Sequence, residues 1–321
     1  MMAEKTTMDR NLTIEAVRVT EAAAIAAAKV MGRGDEKLAD QAAVDAMRTA
    51  LNRLQMAGTV VIGEGERDEA PMLFIGEEVG TGDGPKIDIA LDPLEGTTIT
   101  AKGMPNGLAV LALSDAGGLL NAPDVYMDKI AAGPDVPTDA IDLDNTAAEN
   151  INNVAEAVGK DPNDVVACIL DRPRHAEMIS AVREAGARIV LIGDGDVAGV
   201  MATAMPETNI DIYIGTGGAP EGVLAAAALR CIGGNIQGRL LFRNDDERGR
   251  AAKVGVEDLN RKYAITDLAE GDVIFAATGV TDGNMLRGVR RTGSMIFTES
   301  VAMRARTGTV RWIRMQHPIG N

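Results

Sequence analysis

Short apolar runs alternate with helical segments over the second half of the chain, and this alternation restricts the fold more than any other feature. Each run is six or seven residues long and most are rich in Val and Ile, as buried strands are. Such alternation predicts an α/β layer with mostly parallel strand pairing. The runs lie at 165–170, 187–193, 210–215 and 272–278, and the helical segments lie at 175–185, from 197, at 221–233 and at 255–269.

The first 160 residues carry a different order of elements. Two helical patterns come first, one over 13–30 and one from about residue 40 to residue 56. A further helix ends near Gly159. We therefore expect two lobes, residues 1–160 and 161–321. Strand-like runs in the first lobe lie at 59–63, 87–92, 107–113 and 129–134.

The charge balance excludes several classes of function. The chain has 321 residues, with 47 Asp and Glu against 32 Lys and Arg, so its formal net charge is −15. Such a field repels nucleic acid. No apolar stretch approaches the ~18 residues that span a bilayer, so we expect no membrane partner. Only two cysteines, Cys168 and Cys231, and no cleavable apolar leader indicate a cytoplasmic protein.

The segment IDIALDPLEGTTIT at 87–100 places two acids where an apolar run ends. One interpretation is local: Asp92 would cap a helix, Pro93 would occupy its first position, and Glu95 would complete a capping box. The other is functional: Asp92 and Glu95 would hold Mg²⁺ or Mn²⁺ beside an anion at Gly96 and Thr97. The residues alone leave both interpretations open.

Other acids follow the same layout, each with a local explanation. Asp40 begins the second helical pattern, where capping alone would account for it, and Glu221 opens a helix after the run at 210–215. Glu64 follows the run at 59–63, and nearby Glu66 and Asp68 fit a solvated turn. These explanations do not account for glycine beside acid in three strand-end loops, at 63–66, 92–97 and 215–222.

Two further strand ends carry charged residues. IGDGDVAG places Asp194 and Asp196 after the run at 187–193, where helix capping is an equal alternative. ILDRPRH places Arg172 and Arg174 around a proline. In an acidic protein these arginines could form a phosphate clamp through bidentate contacts, and solvated surface residues are the alternative.

Several catalytic patterns are incomplete. Cys168 and Arg174 have the C-x₅-R spacing of cysteine phosphatases, but the glycine-rich nest that such a thiolate needs is missing. Pro220 interrupts a dinucleotide-binding pattern. Asp194 and Asp196 resemble an aspartyl-nucleophile motif, although Ala198 occupies its last position. With only two histidines, the chain has few candidates for the histidine of a catalytic triad.

The motifs taken together resemble a known family. DPLEGT with an upstream GEGE resembles the lithium-sensitive, metal-dependent sugar phosphatases, which include inositol monophosphatases. MGRGDEKLADQAAV, VIGEGERDEAPML, LNAPDVYMDKI, RPRH, DGDVA and GGAPEGV extend the resemblance to class II fructose-1,6-bisphosphatases over nearly the whole chain. The resemblance implies a layered αβαβα fold and metal-dependent hydrolysis of the 1-phosphate of fructose 1,6-bisphosphate.

The resemblance also implies roles for individual residues. Metal ions, two or more Mn²⁺ or Mg²⁺ per site, would bind Asp40, Glu64, Asp92, Glu95 and Glu221. Thr97, Glu64 and Asp92 would be catalytic, with Thr97 orienting the attacking water. Substrate would bind Glu95, Gly96, Thr97, Tyr126, Arg172, Pro173, Arg174, Asp194, Asp196 and Gly218. We further expect a homo-oligomer, dimer or tetramer.

The chain departs from the family pattern at two positions. Many members have a lysine directly after GRGD, whereas here Glu36 follows and Lys37 comes one position later, so Lys37 receives no role. Glu95 stands where the wider superfamily has a second Asp. Sedoheptulose 1,7-bisphosphate is a further candidate substrate. The rival hypotheses are an inositol-monophosphatase-like enzyme, a phosphatase with Asp194 as nucleophile, and a phosphosugar sensor without catalysis.

Overall fold

A computed structural model describes residues 8–65 and 72–319. Glu66 and Asp68, which the sequence assigns to a solvated turn, lie outside these residues. The described strands are β1 (Ala57–Ile62), β2 (Glu78–Val79), β3 (Lys86–Glu95), β4 (Leu108–Asp115), β5 (Tyr126–Ala132), β6 (Val166–Leu170), β7 (Arg188–Ile192), β8 (Ile212–Gly218), β9 (Asn235–Leu241), β10 (Lys262–Ala264), β11 (Val273–Gly279), β12 (Arg290–Thr292), β13 (Met295–Arg304) and β14 (Thr309–Pro318).

The described α-helices carry the remaining regular structure, apart from short 3₁₀ turns. They are α1 (Leu12–Ala28), α2 (Glu36–Leu51), α3 (Thr97–Ala101), α4 (Ala147–Val158), α5 (Ala176–Glu184), α6 (Asp196–Ala202), α7 (Ala219–Ile232), α8 (Asp245–Lys253) and α9 (Ile265–Leu268). Among the described residues, no helix is both long enough and apolar enough to cross a membrane.

Contacts divide the chain into two compact units. The first unit contains the described residues up to Leu120 and those from Glu270 onward, and the second contains Asn121–Ala269. This division differs from the predicted boundary near 160. The reason is strand pairing: β5 pairs with β8 and β9, whereas β11 returns to pair with β4.

A sheet in the first unit carries the segment at 87–100. Its strand order is β12-β13-β11-β4-β3-β1-β2, with β14 also paired to β13 along the edge. Helices α1 and α2 pack on this sheet through an apolar cluster that includes Val17, Met47 and Ile89. The first unit therefore has a helical layer on a sheet, which stabilises it by burial of aliphatic surface.

Strand β3 runs further than the sequence predicts. Asp92 pairs in register with Val110 of β4, and Glu95 with Leu108, across an irregularity between the two acids. The expectation that Asp92, Pro93 and Glu95 begin a helix is therefore wrong. Continued pairing with β4 keeps these residues extended, and the irregularity accommodates the proline, which has no N–H to donate.

A second sheet, of order β10-β9-β5-β8-β6-β7, forms the second unit. Helices α4 and α5 pack on one face through a cluster that includes Ile130, Ile151 and Val182. Helices α6 and α7 contact the same sheet at β5, β6, β8 and β9. The α/β class is thus confirmed, with helices and sheets layered in each unit.

Two expectations about the second half of the chain are wrong. Parallel pairing is the minority, because β6 pairs in parallel with β7 and β8, whereas β5 is antiparallel to both of its neighbours. The polar helix expected at 255–269 is instead β10 followed by the single turn α9, and the helix α8 lies earlier, at Asp245–Lys253.

Candidate active site

The first group of candidate residues lies where β3 ends. Asp92 accepts a hydrogen bond from the backbone N–H of Leu94 at 3.0 Å, which fixes its carboxylate beside the strand irregularity. Glu95 is buried. Gly96 has a φ of 86°, a left-handed conformation that costs glycine little, and it directly precedes α3. The turn at Gly96 therefore separates the buried Glu95 from Thr97, the first residue of that helix.

Asp40 lies within α2, and capping does not explain it. Asp35 is the N-cap, since its carboxylate accepts the N–H of Leu38 at 3.0 Å. Burial raises the pKa of Asp40. Burial and the negative charge of Asp40 together raise the pKa of Glu64 to about 8. The structure thus brings Asp40 and Glu64, 24 positions apart in sequence, into electrostatic interaction.

The backbone at Glu64 is fixed by a chain of contacts within the first unit. The N–H of Glu64 donates to the carbonyl of Leu73 at 3.0 Å. The N–H of Leu73 donates to the buried Glu77 carboxylate, which also accepts from Nε of Arg48 at 2.6 Å. A side chain at Gly63 would overlap the Leu73 carbonyl, so only glycine fits there. Arg48 and Glu77 therefore position Glu64 from outside its own loop.

In the second unit, a buried lysine holds the end of β8 and the start of α6. Lys129 of β5 is 1% exposed, and its ammonium donates to the Asp196 carboxylate and to the Gly218 carbonyl, the latter at 2.8 Å. A side chain at Gly217 would overlap the Asp196 carboxylate. Asp196 and Gly218, both predicted to bind substrate, are thus joined by Lys129, which the sequence analysis missed.

Glu221 lies in the first turn of α7 and is enclosed by the same group. Burial and the negative charge of Asp196 raise its pKa to about 7, and the positive charge of Lys129 partly opposes them. Within the described residues, its Oε2 atom is buried and has no hydrogen-bond partner. A buried carboxylate oxygen without a hydrogen-bond donor is a ligand that a divalent cation can use.

The two predicted arginines have different environments. Arg172 forms a partly exposed ion pair with Asp194, at 3.7 Å between Nη2 and Oδ1. Pro173 begins a 3₁₀ turn. Arg174 donates from Nε and Nη2 to the Thr216 carbonyl, at 3.0 and 2.6 Å, and lies over the Tyr126 ring at 5.0 Å. Arg174 therefore lies beside Tyr126, whereas Arg172 lies beside Asp194.

Buried His175 ties the Arg174 turn to β8. Its Nδ1 donates to the Leu170 carbonyl at 2.7 Å, and its Nε2 accepts the N–H of Thr216 at 2.9 Å. Because a carbonyl only accepts and an N–H only donates, these partners place the ring hydrogen on Nδ1. The histidine therefore positions the turn and has no free nitrogen for proton transfer.

Each unit has donors whose chemistry suits a hard divalent cation. The first unit offers the carboxylate oxygens of Asp40, Glu64, Asp92 and Glu95, and the second offers those of Glu221; such oxygens are the ligands that Mg²⁺ and Mn²⁺ prefer. In residues 8–65 and 72–319, no three His, Cys, Asp or Glu side chains are already arranged as a metal-binding group. The fit therefore rests on the donor type and on the partnerless oxygen of Glu221.

The cysteine-phosphatase pattern fails on chemistry as well as on sequence. Cys168 is buried in β6, and burial together with the charge of Asp196 raises the pKa of its thiol to about 12. A thiol with so high a pKa stays protonated at neutral pH and is a poor nucleophile.

Comparisons with known proteins find relatives over nearly the whole chain. A family model described as bacterial fructose-1,6-bisphosphatase, glpX-encoded, matches residues 10–317. "Fructose-1,6-bisphosphatase 1 class 2" of Escherichia coli (strain K12) and "Fructose-1,6-bisphosphatase class 2" of Shigella flexneri are each 47% identical to the chain over 324 residues, covering 97% of this chain and 96% of the relative.

Two solved structures are similar at lower levels. An inositol monophosphatase from Anabaena (Nostoc) sp. PCC 7120 has a TM-score of 0.36 and 14% identity, and covers 68% of this chain and 80% of its own. An extragenic suppressor from Pyrococcus furiosus has a TM-score of 0.32 and 15% identity, with coverages of 60% and 71%.

The matches over nearly the whole chain define a hydrolase of phosphoric monoesters. More particularly, the chain belongs to the glpX-encoded family of bacterial fructose-1,6-bisphosphatases, which confirms the resemblance. This family is metal-dependent.

Replacement of Lys129 tests the buried ion pair. We expect Lys129→Met to lower the free energy of unfolding by about 3–5 kcal/mol, because it leaves the Asp196 charge buried without its partner. Lys160→Met is the matched control: Lys160 pairs with Asp211 at 2.6 Å but is 38% exposed, so its loss should cost about 0–1 kcal/mol. Urea denaturation measures both values, and equal losses would contradict the assignment.

The reactivity of Cys168 tests its protonation state. Because the pKa of the thiol is raised to about 12, the thiolate is absent at pH 8 and native protein should react slowly with iodoacetamide. The urea-unfolded chain, in which the thiol regains its ordinary pKa, is the control and should react readily. Phosphatase activity should be retained in Cys168→Ala. Loss of activity in this variant would support Cys168 as a nucleophile.

Proposed function

We propose that the chain hydrolyses the 1-phosphate of fructose 1,6-bisphosphate, releasing fructose 6-phosphate and inorganic phosphate. The observation that carries this proposal is 47% identity to class 2 fructose-1,6-bisphosphatases over 97% of the chain. Acids in the first unit, and arginines with acids at strand ends of the second unit, support it, since hydrolysis of a sugar bisphosphate needs groups for two phosphates. The reaction belongs to gluconeogenesis, and a role in the Calvin cycle is a further proposal.

Mn²⁺ or Mg²⁺, two or more per site, is the proposed cofactor. Asp40, Glu64, Asp92, Glu95 and Glu221 would hold the ions. When bound, the metal neutralises phosphate charge and lowers the pKa of a coordinated water. Burial raises the pKa of Asp40 and Glu64 in metal-free protein, and for Glu64 the negative charge of Asp40 adds to this effect; a bound cation would offset both causes.

The residues of the chain itself supply orientation. Thr97 positions the attacking water for in-line displacement at phosphorus, and Glu64 receives the proton, with Asp92 completing the catalytic group. Glu95, Gly96 and Thr97 contact the phosphoryl group, which is transferred from the C1 oxygen of the sugar to the water. The C1 alkoxide that leaves takes up a proton from solvent to give fructose 6-phosphate. The sugar and the distal phosphate bind Tyr126, Arg172, Pro173, Arg174, Asp194, Asp196 and Gly218. Binding energy from the distal phosphate holds the reacting end in place.

Three alternatives have less support. An aspartyl nucleophile would be Asp194, but that residue pairs with Arg172, and Ala198 occupies the last position of the nucleophile motif. An inositol-monophosphatase-like activity has only a distant structural similarity behind it. A sensor without catalysis would not need acids at so many strand ends. The family match favours none of the three.

The remaining proposals concern the cellular setting. Sedoheptulose 1,7-bisphosphate presents the same reacting phosphate and is a second candidate substrate. We propose a cytoplasmic homo-oligomer, dimer or tetramer. Its support is β14, a ten-residue edge strand that exposes Trp312 and Met315, because exposed edges favour pairing with another strand.

A phosphate-release panel tests the reaction. Protein freed of metal and then supplied with Mn²⁺ or Mg²⁺ separately should release phosphate from fructose 1,6-bisphosphate, and chelation should abolish the release. Inositol monophosphate serves as the comparison substrate. Binding of the bisphosphate without turnover under either metal would favour the sensor, and a preference for inositol monophosphate would favour that alternative.

Single replacements test the end of β3. Glu95→Gln and Thr97→Ala should each lower kcat by roughly 10²–10³ while the fold persists, because each removes one group that acts in the transition state. Thr98→Ala, at the next residue of α3, is the matched control and should retain activity. Circular dichroism checks the fold, and unfolding of either variant at room temperature would indicate a structural role instead.

A further inference from the structure

Two guanidinium groups lie over the ring of Tyr126. The Cζ atom of Arg174 is 5.0 Å from the ring centroid, and the Cζ atom of Arg243, in the loop after β9, is 4.9 Å from it. Since both distances refer to one centroid, the two like charges are at most about 10 Å apart. Arg243 is a residue that the sequence analysis did not single out.

Each guanidinium is held by contacts that leave donors available. Arg174 is held by the carbonyl of Thr216, a neutral acceptor. Arg243 donates from Nε to the Glu247 carboxylate at 2.6 Å, and its backbone N–H donates to the same carboxylate at 2.6 Å. Glu247 is buried in the first turn of α8, and Asn244 caps that helix by accepting the Glu247 N–H. The direction of Arg243 is therefore set by a helix terminus.

Charged groups surround Arg243. Glu247 and Asp124 are the acids that act on it. Arg250 donates to the Asp124 carbonyl at 3.0 Å and also acts on Glu247. Arg174 and Arg243 thus bring two positive charges to one aromatic ring in a chain whose net charge is −15. An anion bound between two guanidinium groups reduces their mutual repulsion and so stabilises the arrangement.

We propose that Arg243 is a specificity-determining residue that, with Arg174, binds the distal phosphate of the substrate beside Tyr126. This inference rests on the proposed function. Guanidinium forks match the geometry of phosphate oxygens, and two forks near one aromatic ring accommodate a dianion better than one. The opposing interpretation is a surface ion pair: the Arg243 side chain is 60% exposed, and such pairs contribute little to stability.

Comparison of two substrates separates these interpretations. Fructose 1-phosphate has the scissile phosphate but no distal one. We expect Arg243→Met to lower kcat/KM for fructose 1,6-bisphosphate by about 10- to 100-fold, mainly through KM, which is the size expected for one charge-assisted hydrogen bond. For fructose 1-phosphate, kcat/KM should be unchanged. Arg243→Lys, which keeps the charge but loses the fork, should be intermediate.

Arg248→Met is the matched control, because Arg248 lies on α8 and pairs with Asp245 at 2.8 Å without contacting Tyr126. It should leave both substrates unaffected. The Kd of fructose 6-phosphate, measured by calorimetry, gives a readout that needs no turnover and should rise in Arg243→Met but not in Arg248→Met. Thermal unfolding checks that the Arg243 variants fold, as the retained backbone bond to Glu247 leads us to expect.

The outcomes distinguish this inference from the proposed function. If the unmodified protein does not hydrolyse fructose 1,6-bisphosphate, the proposed function fails. If it does, while Arg243→Met leaves the Kd of fructose 6-phosphate unchanged or weakens both substrates equally, the inference about Arg243 alone is overturned.

Discussion

The Lys129–Asp196 ion pair is the interaction on which the second unit's part of the site depends. A buried lysine is costly to desolvate unless it is paired and hydrogen-bonded, and Lys129 meets both requirements through Asp196 and the Gly218 carbonyl. The same ammonium opposes the accumulation of negative charge at Glu221. Lys129 lies on β5, Gly218 ends β8 and Asp196 begins α6. The two hydrogen bonds of the Lys129 ammonium therefore fix these three elements relative to one another.

Much of the fold could be predicted from apolar periodicity. Helices α1 and α7 and the buried strand β6 lie close to their predicted bounds because each is a largely apolar pattern with a clear end. Strand direction could not be predicted, since it depends on which partner each strand finds. The prediction of a helix at 255–269 is wrong because a polar segment has little apolar periodicity. Ala264 instead pairs with Gln237 of β9.

The acids of the site illustrate what a sequence leaves open. Asp92 and Glu95 fit a capping box as well as a metal pair, and only the pairing of β3 with β4 shows that no helix begins there. The sequence allows Asp40 to be a helix cap, but the structure shows that Asp35 is the N-cap of α2. For Asp92 and Glu95 the local explanation is removed by a contact distant in sequence, the pairing with β4, whereas for Asp40 it is removed by a nearby cap at Asp35.

Residues that position the site are harder to predict than residues that line it. Lys129 had a visible signal, a lysine inside the apolar strand YMDKIAA, whereas Arg243 had none, because its relation to Tyr126 exists only once β5 and β9 pair. Neither residue completes a motif.

Thr216 shows how such positioning works. Its carbonyl binds Arg174, its N–H binds His175 and its hydroxyl binds Asp128, so every polar group of the residue is engaged. An arginine anchored to so constrained a residue loses little freedom when it meets a phosphate. If Arg174 binds the distal phosphate as proposed, the entropic cost of binding is met largely during folding, and more of the binding energy is left for catalysis.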